Sequence, residues 1–312
     1  MTTISSANDS RDMNLDCISV CICTFKRPAM LRRVLEGIIA QIIGPEFTVE
    51  IIVVDNDEKR SAENIVGEYK QAGRCKIIYD CEPEQSISLA RNRTIRNASG
   101  GYIAIIDDDE YPARDWLKKM YRCIKEYGAD GVLGPVLPDF PEGAPRWLKR
   151  SGLCNRPRNF TGSPITGKDL RTGNVLFRRS AFEKDDKWFD PARGLTGGSD
   201  GEFLSRQIKR GHKYIWCDDA LVFETVPEDR WQASFYLKRQ YRIGTMTGRM
   251  IRHSWKISAF LKTCLLFLGY ASLLPFSMLA GKHVCMKVLT KAYYNAGCIL
   301  SFLKLTHLKQ RE

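Results

Sequence analysis

The chain has 312 residues, 44% hydrophobic and 27% charged, the makeup of a globular protein with room for one large α/β domain and an appendage. Its net charge of +12 is unevenly placed: from Arg230 onward fourteen Lys and Arg face one acid, Glu312, so that segment carries +13 and residues 1–229 carry −1. A basic tail flanking apolar runs points to an anionic membrane surface, and no DNA- or RNA-binding pattern competes with it, which excludes nucleic acid as the expected partner.

Residues 1–16 are polar, lack an apolar core and read as a disordered tail rather than a signal peptide. From there to residue 137 strands and helices alternate. Cys17–Thr24 reads as a strand, Met30–Ile42 as a helix, Val49–Asn56 as a strand, Ser61–Ala72 as a helix and Cys75–Asp80 as a strand. Ser86–Ala98 follows as a helix, Tyr102–Asp107 as a strand, Asp115–Tyr127 as a helix and Gly131–Leu137 as a strand. Strand–helix repeats of this length build right-handed βαβ units, so the fold class is α/β, with a mainly parallel, Rossmann-like sheet flanked by helices. The cysteines are odd in number at eleven and form no C-x-x-C pair, which fits reduced thiols in a cytosolic domain.

Pro138–Lys168, rich in Pro, Gly and Arg, reads as a long functional loop. Gly173–Arg178 is then a strand, Asp200–Arg210 a helix, Lys213–Glu224 one or two strands and Trp231–Ile251 a basic helix. Thr263–Gly281 is uncharged over 19 residues and close to the minimum length for a bilayer span, but Pro275 interrupts it. A shallow or re-entrant membrane helix is therefore expected there, with a buried core helix as the alternative. These patterns divide the chain into a tail (1–16), a catalytic domain (17–229) and a basic, helical, membrane-associating region (230–312).

The chemistry lies at strand ends. Tyr102–Ile106 is apolar throughout, as in a strand buried on both faces, and runs straight into Asp107, Asp108, Asp109 and Glu110. Ligands of parallel sheets bind at the carboxyl ends of strands. Four adjacent acids there are either a solvated turn or a place where a divalent cation and a nucleotide diphosphate offset the charge. The first strand ends in Thr24-Phe25-Lys26-Arg27-Pro28 and the second in Asp55-Asn56-Asp57. A nucleotide across that rim would meet Asp55 at its base, Asp107 or Asp108 at its ribose and a metal on Asp109 at its diphosphate. Neither G-x-G-x-x-G nor a phosphate-loop motif is present, so phosphate would be held by metal and basic side chains.

The ordered motifs T-F-K-R-P, V-V-D-N, S-L-A-R-N, I-I-D-D-D-E, T-G-N and G-G-S-D-G-E-F resemble family 2 glycosyltransferases of the GT-A fold. D-D-D-E-Y-P followed by W-L is similar to exopolysaccharide glucosyltransferases of succinoglycan-type pathways. The resemblance spans Cys17–Glu224, about two thirds of the chain. It implies an inverting, metal-dependent (Mn2+ or Mg2+) enzyme that moves one sugar, glucose being expected, from a UDP-sugar to a lipid-linked oligosaccharide. The work would take place at the cytoplasmic face of a bacterial inner membrane, in surface polysaccharide synthesis.

Carried onto this chain, the resemblance gives Asp55 the uracil, lines the base pocket with Thr24, Phe25 and Arg27, and turns Arg91 toward the nucleotide. Asp107 and Asp109 match the D-x-D pair, with Asp108 beside them at the nucleotide and Asp109 the metal ligand. Thr172, Gly173 and Asn174 would meet acceptor or sugar. Asp200 matches the catalytic base, although Ser199 stands where the family usually has Glu. The chemistry wants such a base independently, because a sugar hydroxyl is a poor nucleophile until a carboxylate takes its proton. Absence of Q-x-x-R-W favours a single addition. Asp200 also suits a plain helix N-cap, and Trp116, Trp147 and Trp188 suit core packing as well as sugar stacking. A sugar-nucleotide nucleotidyltransferase and an inactive membrane-bound nucleotide-sugar scaffold are the competing readings.

Overall fold

The computed structural model describes residues 15–305 except 168, 184–186 and 195–197, so nearly all of the expected tail lies outside the described residues. Asp16, assigned to that tail, instead opens strand β1 (Asp16–Thr24), where its carboxylate accepts from the Tyr121 hydroxyl at 2.6 Å and pairs with Lys125 at 3.2 Å. β2 (Phe47–Asp55), β3 (Lys76–Cys81) and β4 (Tyr102–Ile106) are the other three strands of the expected parallel set. Between and after them come α1 (Pro28–Ile39), α2 (Glu63–Gln71), α3 (Ile87–Asn97), β5 (Glu110–Pro112) and α4 (Trp116–Glu126).

The segment expected as one strand over 131–137 is split into β6 (Gly131–Leu133) and β7 (Val136–Asp139). Pro135 has no N–H to give a ladder, and a Cβ on Gly134 would come 2.6 Å from both Ala220 O and the Asn174 amide. The following loop contains a short helix, α5 (Arg146–Ser151), that its Pro/Gly content hid. Then come β8 (Asn174–Arg178), α6 (Ser180–Glu183), α7 (Ser199–Lys209), β9 (Tyr214–Trp216) and β10 (Val222–Thr225). Three long helices, α8 (Ala233–His253), α9 (Ile257–Leu279) and α10 (Lys282–Phe302), close the sequence of elements.

The chain forms two units, one containing residues up to Leu137 with Arg156–Glu224, the other Pro138–Asn155 with residues from Thr225 on. The first is built on a seven-stranded sheet ordered β3-β2-β1-β4-β8-β6-β9. β1, β2, β3 and β4 are parallel, β8 is antiparallel to both β4 and β6, and β9 is parallel to β6. Alternate residues of one strand serve opposite faces. Ile51 and Val53 join the cluster with Leu31, Leu35 and Trp116, while Ile52 and Val54 join Phe177, Phe203 and Trp216. Both faces are thus covered, which is why these strands read as unbroken apolar runs. A small antiparallel pairing of β5 with β10 sets Glu110 opposite Glu224.

In the second unit Leu148, Val226 and Tyr236 form a small core with Trp147 and Trp231 packed against it, so Trp147 is a packing residue. α8 and α10 meet through small residues. A Cβ on Gly244 would lie 2.0 Å from Tyr294 O, one on Gly248 2.2 Å from Cys298 O, and one on Gly297 2.3 Å from Tyr241 O. Pro275 does not interrupt α9, which runs 23 residues and is long and apolar enough to cross a membrane.

Candidate active site at the carboxyl ends of the parallel strands

β1 delivers the first group. After Thr24 the chain turns through Lys26 in the left-handed region (φ 55°), a conformation uncommon outside glycine. The Thr24 hydroxyl donates to Asp108 Oδ2 at 2.9 Å, and the Arg27 guanidinium reaches Asp108 Oδ1 at 3.0 Å and Asp109 Oδ2 at 3.4 Å. Phe25 is half-buried, with the Lys26 ammonium 4.8 Å above its ring.

β2 delivers Asp55, and its side chain is fully buried. The carboxylate accepts from the backbone N–H of Asp57 (3.0 Å) and Ala62 (2.7 Å) and from the Tyr79 hydroxyl (3.1 Å). Three of its roughly four acceptor positions are therefore committed to shaping its own loop. Asn56 extends the same scaffold. Its amide donates to the carbonyls of Glu82 and Glu84 and accepts from Ser86 N–H, and Ser86 caps α3.

The acidic run is a turn between β4 and β5, closed by Glu110 N–H to Asp107 O at 3.2 Å. Its four side chains consequently have different neighbours. Asp107 pairs at 3.2 Å with Arg91, a buried guanidinium on α3 that also lies 5.6 Å from the Phe189 ring. Asp108 serves Thr24 and Arg27. Burial, and then Asp107, Glu224 and Asp108, push the Asp109 carboxyl up to about 6. Glu110 is buried; one oxygen accepts from Asp107 N–H, and the other lies 3.8 Å from Arg156. Burial and Asp107 drive its pKa well above the usual carboxylate range.

Such an excess of carboxylates around Asp109 fits a divalent cation. Among the described residues no three His, Cys, Asp or Glu converge as a ready-made cage. A cation there would depend on one or two carboxylates, with diphosphate oxygens and water completing its shell.

Thr172, Gly173 and Asn174, expected at acceptor or sugar, are instead buried within the fold. The Asn174 amide accepts from Trp116 Nε1 at 2.8 Å and donates to Pro135 O and Ala220 O at 2.9 and 2.8 Å, which leaves it little capacity for a ligand. Trp116, fully buried, is likewise a core residue. Gly173 is glycine because a Cβ would come 2.6 Å from Glu110 Oε1. Gly173 and Asn174 thus hold β8 against the acidic turn and its surroundings, while the buried Thr172 hydroxyl has no hydrogen-bond partner among the described residues.

Asp200 occupies the first turn of α7, two residues after Gly198, the N-cap, whose φ of 90° suits only glycine well. Asp200 is thus inside the helix and is not its cap. Its charge is felt by both Arg91 and Arg171. The rim therefore joins Thr24, Arg27, Asp108 and Asp109 by direct contacts, while Asp107 pairs with Arg91, which also feels the charge of Asp200. Sequence reasoning missed Arg156, Arg171 and Glu224. The one local signal was that Arg171 immediately precedes T-G-N.

Residues 19–185 match the model described as glycosyl transferase family 2. Over 306 residues the chain is 31% identical to the succinoglycan biosynthesis protein ExoM of Rhizobium meliloti (strain 1021), covering 94% of this chain and 95% of that protein. The chain belongs to glycosyl transferase family 2. The glycosyltransferase also shares its fold with crystal structures of S. aureus TarS 1-349 in complex with UDP-GlcNAc and of GalNAc-T7 with UDP, GalNAc and Mn2+. The first aligns with a TM-score of 0.54 at 19% identity, over 68% of this chain and 59% of that one. The second gives 0.54 at 17% identity, over 71% and 46%. Membership of a transferase family sets aside the nucleotidyltransferase reading.

Proposed function

We propose that this glycosyltransferase moves one sugar, glucose being the expected one, from a UDP-sugar to a lipid-linked saccharide, with inversion, during bacterial surface polysaccharide synthesis. The observation that carries the reading is Arg91, which pairs with Asp107 at 3.2 Å and lies within electrostatic reach of Asp200, so one guanidinium serves both the acid assigned to the nucleotide and the acid assigned to deprotonation. Near full-length similarity to a succinoglycan biosynthesis protein supports the polysaccharide context. A fold shared with proteins crystallised with UDP and UDP-GlcNAc supports the donor class.

In this reading the base lies against Phe25 and Arg27, the remaining acceptor position of Asp55 meets it, and Asp107 and Asp108 border the ribose. Asp109 holds Mn2+ or Mg2+, which supplies charge neutralisation for the departing diphosphate. Asp200 takes the proton of the acceptor hydroxyl while that oxygen bonds to the anomeric carbon. The bond from that carbon to the diphosphate oxygen breaks on the opposite side, UDP leaves with the electron pair, and the configuration inverts. α9, with basic residues on either side, would hold the protein at the cytoplasmic face of the inner membrane.

Purified protein with Mn2+, membrane lipid extract and a panel of UDP-sugars should release UDP, most strongly with UDP-glucose, and NMR of the product should show inverted configuration. Retention, or no UDP release with any donor, rejects the reading.

A further inference from the structure

Arg171 stands apart from the other arginines of the rim. Its side chain is half-buried, yet among the described residues no hydrogen bond or ion pair reaches its guanidinium. Arg27, Arg91 and Arg156 each hold at least one carboxylate. A guanidinium carries five donors, and leaving them unused in a half-buried setting costs free energy. Its acidic neighbours Asp169, Glu110 and Asp200 act on it through space only. Asp169 is taken by Thr166 N–H and hydroxyl and by the Asn159 amide, at 3.1, 2.9 and 3.0 Å.

The neighbouring charges sharpen the point. Arg156, within electrostatic reach, already pairs with Glu224 and leans toward Glu110 at 3.8 Å. Burial first, then Arg156, work against the charge on Arg171. Two like charges side by side, one of them without a partner, face a rim that also contains Asp200. The backbone bearing Arg171 cannot easily swing away, because Gly173 is pressed against Glu110 and Asn174 is tied to three partners. A carboxylate ligand would bring one charge into a neighbourhood that already has several. A phosphate brings more charge and three oxygens for forked donors.

We infer that Arg171, with Arg156 beside it, is a receptor for a phosphate-class oxyanion, the diphosphate of the donor or the phosphate that links the acceptor to its lipid. Only the choice between these two sources rests on the proposed transfer reaction. The receptor itself does not.

The test uses full-length protein with Arg171→Gln and Arg171→Lys. Inorganic pyrophosphate is titrated first, without added metal, by phosphorus NMR and calorimetry. Wild type should bind it, Arg171→Gln should lose at least tenfold in affinity, and Arg171→Lys should recover part because it keeps the charge but not the fork. Uridine binding and the melting curve should not move. If UDP affinity falls with pyrophosphate affinity, the donor is the source. If UDP affinity holds and KM for the lipid acceptor rises at unchanged kcat, the acceptor is. Should Arg171→Gln fail to fold, Arg171→Lys and Arg156→Lys still report, since either must weaken pyrophosphate binding. Wild type that ignores pyrophosphate, or variants that bind it within twofold of wild type, overturn the receptor even if sugar transfer is confirmed. Absence of transfer with intact pyrophosphate binding instead removes the reaction and leaves the receptor standing.

Discussion

In the sheet unit the largest side chains are inside: Trp116, Trp216, Phe177 and Phe203 are fully buried, and charges gather at the strand ends. In the helical unit the arrangement is reversed. The buried positions of α8 and α10 are mostly small, Gly244, Thr245, Gly248, Thr290, Ala292, Asn295, Gly297, Cys298 and Ser301 with Tyr236 and Met286 as the larger exceptions, while Leu265, Leu268, Phe276 and Leu279 of α9 face outward. Only 6% of the apolar stretch of α9 is buried within the fold. Water drives the first arrangement, since burying Trp, Phe and Ile is what stabilises a core against it. Small residues inside and large apolar ones outside are what helices do when their surroundings are themselves apolar. Only the outer face of α9 has the second pattern, and the proposed chemistry falls entirely in the sheet unit.

The sharpest way to break that division is Asp200→Asn. The amide cannot accept a proton, so turnover should fall by about 10²–10⁴-fold, the usual cost of losing a general base. UDP affinity by calorimetry and retention of the protein on membranes after a high-salt wash should stay at wild-type values. Turnover within threefold of wild type would remove Asp200 from the base role. Loss of membrane retention would show that the division between units is not functional.

What the sequence made legible follows the same line. β1 to β4 were readable because both of their faces are buried and each ends abruptly in polar residues, and the acidic run could be located for that reason. A turn was one reading of the run, but that it leads into a strand was not readable, since β5 is three residues long, contains Pro112 and exists only by pairing with β10, more than a hundred residues later. The same distance hid Arg156, Arg171 and Glu224, whose importance comes from neighbours remote in sequence. Asn174 was assigned to acceptor or sugar through the resemblance of its T-G-N motif; its three partners, from three segments, show a structural task that the sequence alone did not. Pro275 suggested a break in α9, but a proline removes one hydrogen bond, and a helix long enough continues past it. The Gly244-x-x-x-Gly248 spacing was visible yet meant nothing until Gly297 stood against it.

A second contrast concerns acid. Glu50 is buried beneath the sheet, accepting from Ser19 Oγ (2.7 Å), Lys76 Nζ (2.7 Å), Ser99 N–H (2.6 Å) and Ser99 Oγ (2.8 Å). Burial alone would raise its pKa, but Lys76, Ser19 and Ser99 outweigh it and leave the carboxyl at about 2. A depressed carboxylate stabilises the fold fully above its ordinary value of 4.5 and loses that contribution as the pH falls through the folded value. The shift corresponds to about 3 kcal/mol. α8, α9 and α10 contain no Asp or Glu, so acid has nothing equivalent to titrate there. Denaturant unfolding of Glu50→Gln should show a deficit of about 3 kcal/mol at pH 7 that shrinks steadily between pH 4.5 and 2. A deficit independent of pH would mean that Gln fails there for reasons of packing.

The smallest expected effects test the reversal itself, by adding a methyl inside the helical unit and removing apolar surface outside it. At Gly248 an alanine gains about 1 kcal/mol of helix propensity. Its Cβ, however, would sit 2.2 Å from the Cys298 carbonyl oxygen, a backbone atom that cannot rotate aside. The helices must separate, and overpacking of this kind costs about 1–3 kcal/mol, so the net effect on a melt in detergent should be destabilising. Leu268 is 63% exposed, and Gln there touches little that holds the fold together. Leu268→Gln should therefore leave the melt within about 0.5 kcal/mol of wild type. It should instead weaken flotation with anionic vesicles, because a leucine withdrawn from an apolar medium forfeits roughly 1.5–3 kcal/mol. Together the variants separate two origins of the exposed leucines. If Leu268→Gln lowers the melt and leaves flotation unchanged, the outer face of α9 is covered by protein, and the case for a membrane-held enzyme loses its physical basis.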